Sequence, residues 1–191
     1  MIENEFKLML TEQQYRLIRS EYAWDKVIAQ TNHYYDTDDL SLTPCHITCR
    51  VREISGENLL QIKLPNGAAY SRIELENRIG ASVPEQLSAE LLNSLAGEYL
   101  NNPLPDVKRL GSLTTERCIK HFDGAEIDLD KSTYFAVTDF ELEIEFTDEA
   151  AARKLLKEIK ESAGITESAE VCSGKIQRFL TLYKQKSMRF E

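Results

Sequence analysis

The stretch Glu3-Asn4-Glu5-Phe6-Lys7 decides how the fold of this chain is interpreted. In a β-strand, alternate side chains point to the same face, so Glu3, Glu5 and Lys7 share one face while Phe6 lies on the other. An ordinary strand turns its charged face to water and its apolar face to a core. Taken alone, this strand is equally compatible with that arrangement and with an enclosed charged face.

Two later segments repeat this alternation of charge. Their charged faces carry Arg72, Glu74 and Glu76 in the segment 69–78, and Glu141, Glu143 and Glu145 in the segment 137–146. Like charges side by side on a solvated sheet are mildly unfavourable, so repeated runs of carboxylates need another explanation. Two arrangements remain open: a solvated sheet face with helices beneath it, or a barrel with a polar lumen whose apolar outer face is covered by amphipathic helices.

The number and spacing of the strands favour the barrel. Eight strands are predicted, at 2–10, 29–36, 46–54, 58–64, 69–78, 107–121, 125–131 and 137–146. Turn signals such as Ser55-Gly56 and Asp123-Gly124 join neighbouring strands as antiparallel pairs. Eight strands can close into a barrel that has no exposed edge. The predicted fold class is therefore α+β: a closed eight-stranded antiparallel β-barrel with a polar lumen, flanked by α-helices.

Four helices are predicted around the barrel. They begin after Thr11, near Pro84, after Thr147 and at residue 173. Thr11 and Gln14 have the spacing of a capping box, and Thr147 is predicted to cap the third helix. A proline near a helix start is favourable because its missing N–H is not needed there.

The composition indicates a soluble globular protein. With 191 residues, 42% of them hydrophobic and 29% charged, the chain suits a single domain over 1–191. No run of about 18 apolar residues is present, and the N-terminus lacks the layout of a secretory signal, so no membrane partner is expected. A net charge of −9 disfavours general nucleic-acid binding, which needs a broad basic surface.

The four cysteines favour reduced thiols. None of them forms a C-x-x-C pair, and Cys45-His46-x-x-Cys49 lacks the further partners of a four-ligand zinc site. Reduced thiols are typical of the cytoplasm, so a cytoplasmic location is predicted.

A lumen lined by these charged rows suits one kind of ligand. Buried carboxylates without partners are costly, so they are expected to pair with cations or to bind metal. Hard oxygen ligands suit Mg²⁺ or Mn²⁺, whereas arginine and lysine suit phosphate. The sequence therefore predicts a place for a metal-bound polyphosphate.

These residues resemble a known family. Glu3-x-Glu5-x-Lys7 resembles the E-x-E-x-K signature of the CYTH superfamily, the triphosphate tunnel metalloenzymes. Further matches follow in the family's order: Asn32-His33-Tyr34-Tyr35-Asp36-Thr37, Arg50-x-Arg52, Lys63, Arg72-x-Glu74-x-Glu76, Arg117, Asp130 and Glu143-x-Glu145. The chain looks like the small single-domain members from Gram-positive bacteria.

The resemblance implies a closed eight-stranded tunnel, dependence on a divalent metal and a set of site residues. The implied metal ligands are Glu3, Glu5, Asp130, Glu143 and Glu145. The implied substrate-binding residues are Lys7, Arg50, Arg52, Lys63, Arg72, Glu76, Arg117 and Lys175, and the implied catalytic residues are Glu145 and Lys175. Family members often carry a Ser-Lys pair near the C-terminus, whereas here Ser173-Gly174-Lys175 has an inserted glycine.

The activity implied by the resemblance is metal-dependent hydrolysis of a small triphosphate, with inorganic tripolyphosphate as the leading substrate. Thiamine triphosphate is an alternative substrate, because the same chemistry applies to it. Adenylyl cyclase activity is a second alternative, and a module that binds polyphosphate or a nucleotide without turnover is a third. The general base is left open among Glu145, Lys175, Tyr34 and Tyr35.

Overall fold

Nine antiparallel strands form the sheet of the computed structural model, which describes residues 2–166 and 172–187. They are β1 (Ile2–Leu10), β2 (Lys26–Asp36), β3 (Thr48–Ile54), β4 (Glu57–Asn66), β5 (Ala68–Arg78), β6 (Gln86–Leu87), β7 (Val107–Phe122), β8 (Ala125–Tyr134) and β9 (Val137–Phe146). Eight of these strands run in the order β2-β3-β4-β5-β1-β9-β8-β7, and β7 pairs with β2. The barrel is therefore closed, as predicted. The ninth strand, the two-residue β6, pairs with the first residues of β7.

Four α-helices flank the barrel. They are α1 (Glu12–Glu21), α2 (Ala89–Ala96), α3 (Glu149–Ser162) and α4 (Lys175–Ser187). Two short 3-10 helices, Thr43–Cys45 and Gly97–Tyr99, lie in the connections. In the part of the chain that the structure describes, no helix combines the length and the apolar character needed to cross a membrane.

The helix starts confirm one predicted cap, correct a second and move the start of one helix. Thr11 caps α1 in a full capping box with Gln14. The cap of α3 is Asp148, whose carboxylate accepts hydrogen bonds from two backbone N–H groups of the first turn, so the prediction of Thr147 was wrong. Likewise α2 begins after Ser88 rather than near Pro84, because the residues between them pair with β7 as β6.

The strand register places the charged rows side by side. Between β1 and β9, Lys7 lies opposite Glu143, and Glu5 lies opposite Glu145. The intervening residue Phe6 is buried on the outer face, where its ring stacks on Phe146 at 4.6 Å. Alternation along each strand thus separates a charged inner face from an apolar outer face, which is the arrangement that the sequence predicted.

Two apolar clusters cover the outer face of the barrel. One lies under α1 and α3, where Ile18 and Ile159 are fully buried against β1, β8 and β9. The other lies under α2, where Leu92 is fully buried against the wall formed by β2 to β5. These clusters supply the hydrophobic burial that a barrel with a polar interior lacks.

A third cluster closes one end of the lumen. Phe179 of α4 is fully buried and packs on Tyr34, with 5.1 Å between the ring centroids, and beside Leu113 and Tyr134. These three strand residues have the same alternation as Asn32 of β2, Arg117 of β7 and Asp130 of β8. At Gly111 a Cβ atom would lie 3.0 Å from the Phe179 ring, so the missing side chain lets the helix approach the strand. Thus α4 packs into the barrel end.

Replacing Phe179 by alanine is expected to lower the free energy of unfolding by about 3–5 kcal/mol, because it empties a fully buried aromatic site. Urea denaturation followed by circular dichroism measures the change. Thr181→Ala, on the exposed face of the same helix, is the control and should cost less than about 0.5 kcal/mol. Equal stability of the two variants would show that α4 is not part of the cooperative barrel.

Candidate active site

A cavity of about 240 Å³ lies inside the barrel and is bounded by strand residues and by the segment 172–177. The predicted site residues on its wall are Glu3, Glu5, Lys7, Arg50, Arg52, Lys63, Arg72, Arg117, Glu143, Glu145 and Lys175. Of the two tyrosines considered as a general base, Tyr34 lines this cavity, whereas Tyr35 is buried in the apolar cluster under α2. The structure therefore brings together all but two of the residues predicted as metal ligands, substrate-binding residues or catalytic residues in the family resemblance.

The two exceptions, Asp130 and Glu76, do not line the cavity. Asp130 is fully buried and holds the cations Arg117 and Lys175 in place. Glu76 is exposed and accepts a hydrogen bond of 2.5 Å from Gln61. Both residues thus contact the site through other side chains.

Two groups of carboxylates on one side of the cavity have the geometry of a metal site. In each group, the ligand atoms lie within 4.8 Å of one another: Glu3, Glu5 and Glu145 form one, and Asp128, Glu143 and Glu145 form the other. Glu145 belongs to both. Asp128 was not among the predicted ligands, although it shares its strand alternation with Asp130.

The electrostatics of these carboxylates favour a bound cation. Burial, with repulsion from Glu3 and Asp128, raises the pKa of Glu145 to about 8. Burial also raises the pKa of Asp128 to about 7, although Arg117 opposes the shift. The buried Oδ1 atom of Asp128 has no hydrogen-bond partner among the described residues. Clustered oxygen donors with too little compensating positive charge fit a hard divalent ion such as Mg²⁺ or Mn²⁺.

Arg117 is held entirely by carboxylates. Its Nε and Nη2 atoms donate to the two oxygens of Asp130 at 2.8 and 2.7 Å, and Nη2 also donates to Glu143 at 2.5 Å. Nη1 contacts Asp128. Burial alone would lower the pKa of this guanidinium, but the surrounding carboxylates raise it well above its usual value.

Lys175 lies at the start of α4 and reaches the same acidic wall. Its Nζ atom is 2.8 Å from a carboxylate oxygen of each of Asp130, Glu141 and Glu143. Burial disfavours the charge, but the three carboxylates outweigh it and raise the pKa of Lys175 above its usual value. Lys175 is therefore a fixed ammonium, and this arrangement does not suit it for the role of general base.

The remaining lysines of the site pair with carboxylates of these two groups and with Glu74. Lys7 Nζ lies 2.7 Å from Glu5 and also contacts Glu143. Lys63 contacts Glu3 and lies 3.0 Å from Glu74. Burial would raise the pKa of Glu74, but Lys63 and Arg50 lower it to about 2, so Glu74 stays ionised.

Arg52 differs from the cations of the site that contact carboxylates, namely Lys7, Arg50, Lys63, Arg117 and Lys175. Its Nε atom donates to Asn32 Oδ1 at 3.1 Å, and within the described residues it makes no ion pair. Burial and repulsion from Arg50 and Arg117 lower its pKa to about 10, which still leaves it charged at neutral pH. Its charge is therefore available to an anion in the cavity.

Several neutral side chains that were not predicted line the cavity or support its wall, and two of them, Asn32 and Gln61, bind arginines. Asn32 lines the cavity, and Gln61 accepts a hydrogen bond of 2.7 Å from Arg50 Nε. Asn32 stands in the Asn32–Thr37 motif and Gln61 shares its strand alternation with Lys63, so alternation was the available signal for both. Together the walls can hold divalent cations on one side and bind an anion on the other.

The cysteines take no part in disulfides. All four are free, with Cys49 and Cys118 buried and Cys45 exposed. Cys172 lines the cavity, and burial raises the pKa of its thiol to about 11, so it is protonated at neutral pH.

Comparisons with known proteins agree with this architecture. The sequence model of the CYTH domain family matches residues 1–173. A Bacillus subtilis protein named "Putative triphosphatase YjbK" is 30% identical over 185 residues, which cover 93% of this chain and 94% of that protein.

Two solved structures are similar over nearly their whole length. A Bacillus halodurans protein described as a "putative adenylate cyclase" is 26% identical, with a TM-score of 0.74, and the match covers 93% of this chain and 96% of that one. HpAC1 from Hippeastrum, at 19% identity, shares the fold with a TM-score of 0.73, covering 94% of this chain and 95% of its own. Because the family model matches most of the sequence, this chain belongs to the CYTH domain family.

Proposed function

We propose that this chain hydrolyses a small triphosphate, inorganic tripolyphosphate, in the presence of Mg²⁺ or Mn²⁺. The observation that carries the proposal is the unneutralised charge of Arg52 in a cavity whose opposite wall holds two metal-capable carboxylate groups. A passive phosphate receptor needs the cations but has little use for such carboxylates. The Bacillus subtilis relative, named a putative triphosphatase, supports hydrolysis of a triphosphate as the class of reaction.

The carboxylates divide into two roles under this proposal. Glu3, Glu5, Asp128, Glu143 and Glu145 would hold divalent cations, which supply charge neutralisation and Lewis-acid activation of the phosphoryl group. Glu145, shared by both groups, would orient water near them. Asp130 would act as a positioning residue, because both of its oxygens are engaged by Arg117 and Lys175.

The cations would bind the phosphate oxygens. Arg50, Arg52, Lys63 and Arg72 come from three neighbouring strands, so they form one basic wall that follows a chain of phosphates. Arginine donates to phosphate in a fixed fork, which orients the phosphoryl group as well as neutralising it. Arg117 and Lys175, already fixed by carboxylates, would stabilise the charge that develops on the transferred group.

The size of the cavity favours a compact substrate. Sites for drug-sized ligands usually occupy about 300–1,000 Å³. The cavity here measures about 240 Å³, and α4 packs into the barrel end. An inorganic triphosphate fits such a volume better than a nucleotide with its base and ribose.

Phosphate release from tripolyphosphate tests the activity. With Mg²⁺ or Mn²⁺ we expect release from tripolyphosphate to exceed release from ATP or thiamine triphosphate, and EDTA to abolish it. Glu145→Gln and Arg52→Ala should each reduce kcat/KM by about 100-fold or more, since each removes a charge that acts on the transition state.

Two exposed substitutions serve as controls for this assay. Glu90→Gln and Arg16→Ala make the same changes of charge at exposed positions of α2 and α1, and both variants should retain full activity. Full activity of Glu145→Gln and Arg52→Ala would remove the basis for the assigned site. Production of cyclic AMP from ATP, without release from tripolyphosphate, would instead establish cyclase activity.

The pH dependence of stability tests the metal-free carboxylate group. The folded pKa values of Glu145, about 8, and Asp128, about 7, lie above their unfolded values. The folded state therefore binds more protons, and each group should lower the free energy of unfolding by up to about 1.4 kcal/mol per pH unit as pH rises, Asp128 between about pH 4 and 7 and Glu145 between about pH 5 and 8. Thermal unfolding in EDTA measures this slope.

Glu145→Gln is expected to flatten that slope, because it removes one titrating carboxylate and relieves repulsion on Asp128. Added Mg²⁺ should raise the Tm more at pH 8 than at pH 5, where protons compete for the ligands. The same slope in wild type and variant, with no effect of Mg²⁺ on either, would contradict a metal site at these residues.

A further inference from the structure

Three lumen arginines each donate a hydrogen bond to the side chain directly opposite on the neighbouring strand, but the three acceptors differ in charge. Arg117 of β7 lies opposite Asp130 of β8, a carboxylate. Arg52 of β3 lies opposite Asn32 of β2, and Arg50 of β3 lies opposite Gln61 of β4. The last two partners are neutral amides.

Each amide binds its arginine at Nε and leaves the outer nitrogens of the fork uncommitted to it. Asn32 Oδ1 accepts from Arg52 Nε at 3.1 Å, and Gln61 Oε1 accepts from Arg50 Nε at 2.7 Å. Arg50 also has a long contact of 3.8 Å with Glu74, whereas Arg52 has no ion pair within the described residues. Arg52 therefore has the least neutralised charge of the three arginines.

Asn32 combines burial with a position on the cavity wall. Its side chain is 1% exposed, and its single side-chain hydrogen bond within the described residues is the one from Arg52. A carboxylate at this position would accept the same hydrogen bond and would also gain an ion pair. The amide thus fixes the guanidinium at some loss of pairing energy, and this loss keeps the positive charge unneutralised.

We propose that Asn32 is a positioning residue of the anion site, which orients Arg52 and, by being uncharged, preserves the affinity of Arg52 for substrate phosphate. This inference rests on the proposed function of the cavity as a triphosphate site. An acceptor of either charge would orient Arg52, but only an uncharged side chain at position 32 would leave the charge of Arg52 free for phosphate. Gln61 is in the equivalent position for Arg50. It also donates a hydrogen bond to Glu76, so its substitution would change two contacts at once.

The test compares Asn32→Asp with Asn32→Ala. Calorimetric titration with inorganic tripolyphosphate in EDTA measures binding without metal-dependent turnover. Asn32→Asp should weaken binding by about 100-fold, because it pairs with Arg52 and adds a negative charge to the wall, whereas Asn32→Ala should weaken it by about tenfold through lost orientation. With metal present, the Asp variant should raise KM more than it lowers kcat.

Stability should rank the same variants in the opposite order. Asn32→Asp gains an ion pair with Arg52 and should unfold at a Tm equal to or above that of Asn32→Ala, which leaves Arg52 Nε without its acceptor. Gln13→Glu, an exposed substitution on α1 with the same change of charge, should leave both binding and Tm unchanged.

Three outcomes would overturn the inference. They are tighter binding by Asn32→Asp than by Asn32→Ala, parallel rankings of binding and stability, and no binding of tripolyphosphate by the wild type. Failure of the proposed function gives a different result. In that case, the wild type binds tripolyphosphate and Asn32→Asp binds it more weakly than Asn32→Ala, but the wild type releases no phosphate with any metal.

Discussion

The structure depends on balancing charge inside a closed barrel. A barrel of eight strands has a lumen that is too narrow for bulk water to solvate a row of carboxylates, and an isolated buried charge costs several kcal/mol even after relaxation. Glu143 shows how this cost is met: Lys175, Lys7 and Arg117 all contact it, and although burial alone would raise its pKa, these cations lower it well below its usual value. Among the described residues, Glu145 has no comparable set of cations, and its raised pKa reflects the unbalanced negative charge around it. The incomplete neutralisation lies where a divalent ion would complete it.

Apolar burial on the outer face of the barrel offsets the free-energy cost of the charged lumen. Because alternate residues of a strand face opposite sides, Glu5 and Lys7 of β1 and the charged residues of β9 are each followed by an apolar residue of the cluster under α1 and α3. The apolar burial that stabilises the domain is thus located outside the barrel, and the lumen is free to hold polar groups. Lumen substitutions such as Arg52→Ala are therefore separable from the core, whereas α4 packs an apolar face directly into the barrel end.

The alternation of side chains along a strand explains how much of the site could be predicted from the sequence. It assigns a face to each residue, so the rows of Glu3, Glu5 and Lys7 and of Glu143 and Glu145 were correctly placed together, and closure of the barrel followed from the number of strands. It does not give the register between strands or the depth along a strand. For this reason Asp128 was not selected, although it completes a carboxylate group with Glu143 and Glu145, and Asp130 was predicted as a ligand although its oxygens hold two cations.

Local competition explains the other differences. Thr147 and Asp148 are both good N-cap residues, and the choice depends on where β9 ends, which the sequence does not specify within one residue. Pro84 suits the start of a helix, but pairing of β6 with β7 delays α2 to Ala89. In both cases a tertiary contact overrides a local signal.

The arginines of the lumen show that residue type alone does not fix a role. Arg117 and Arg52 both lie opposite a hydrogen-bond acceptor on the next strand, yet one faces a carboxylate and the other an amide. The first becomes a fixed part of an internal salt-bridge network, with its pKa raised by its neighbours. The second keeps a positive charge that its neighbours destabilise, because burial and the repulsion of Arg50 and Arg117 lower its pKa to about 10. A polyanionic ligand would relieve that repulsion, so the phosphate affinity proposed for the cavity would depend on the absence of a carboxylate opposite Arg52 as well as on the guanidinium itself.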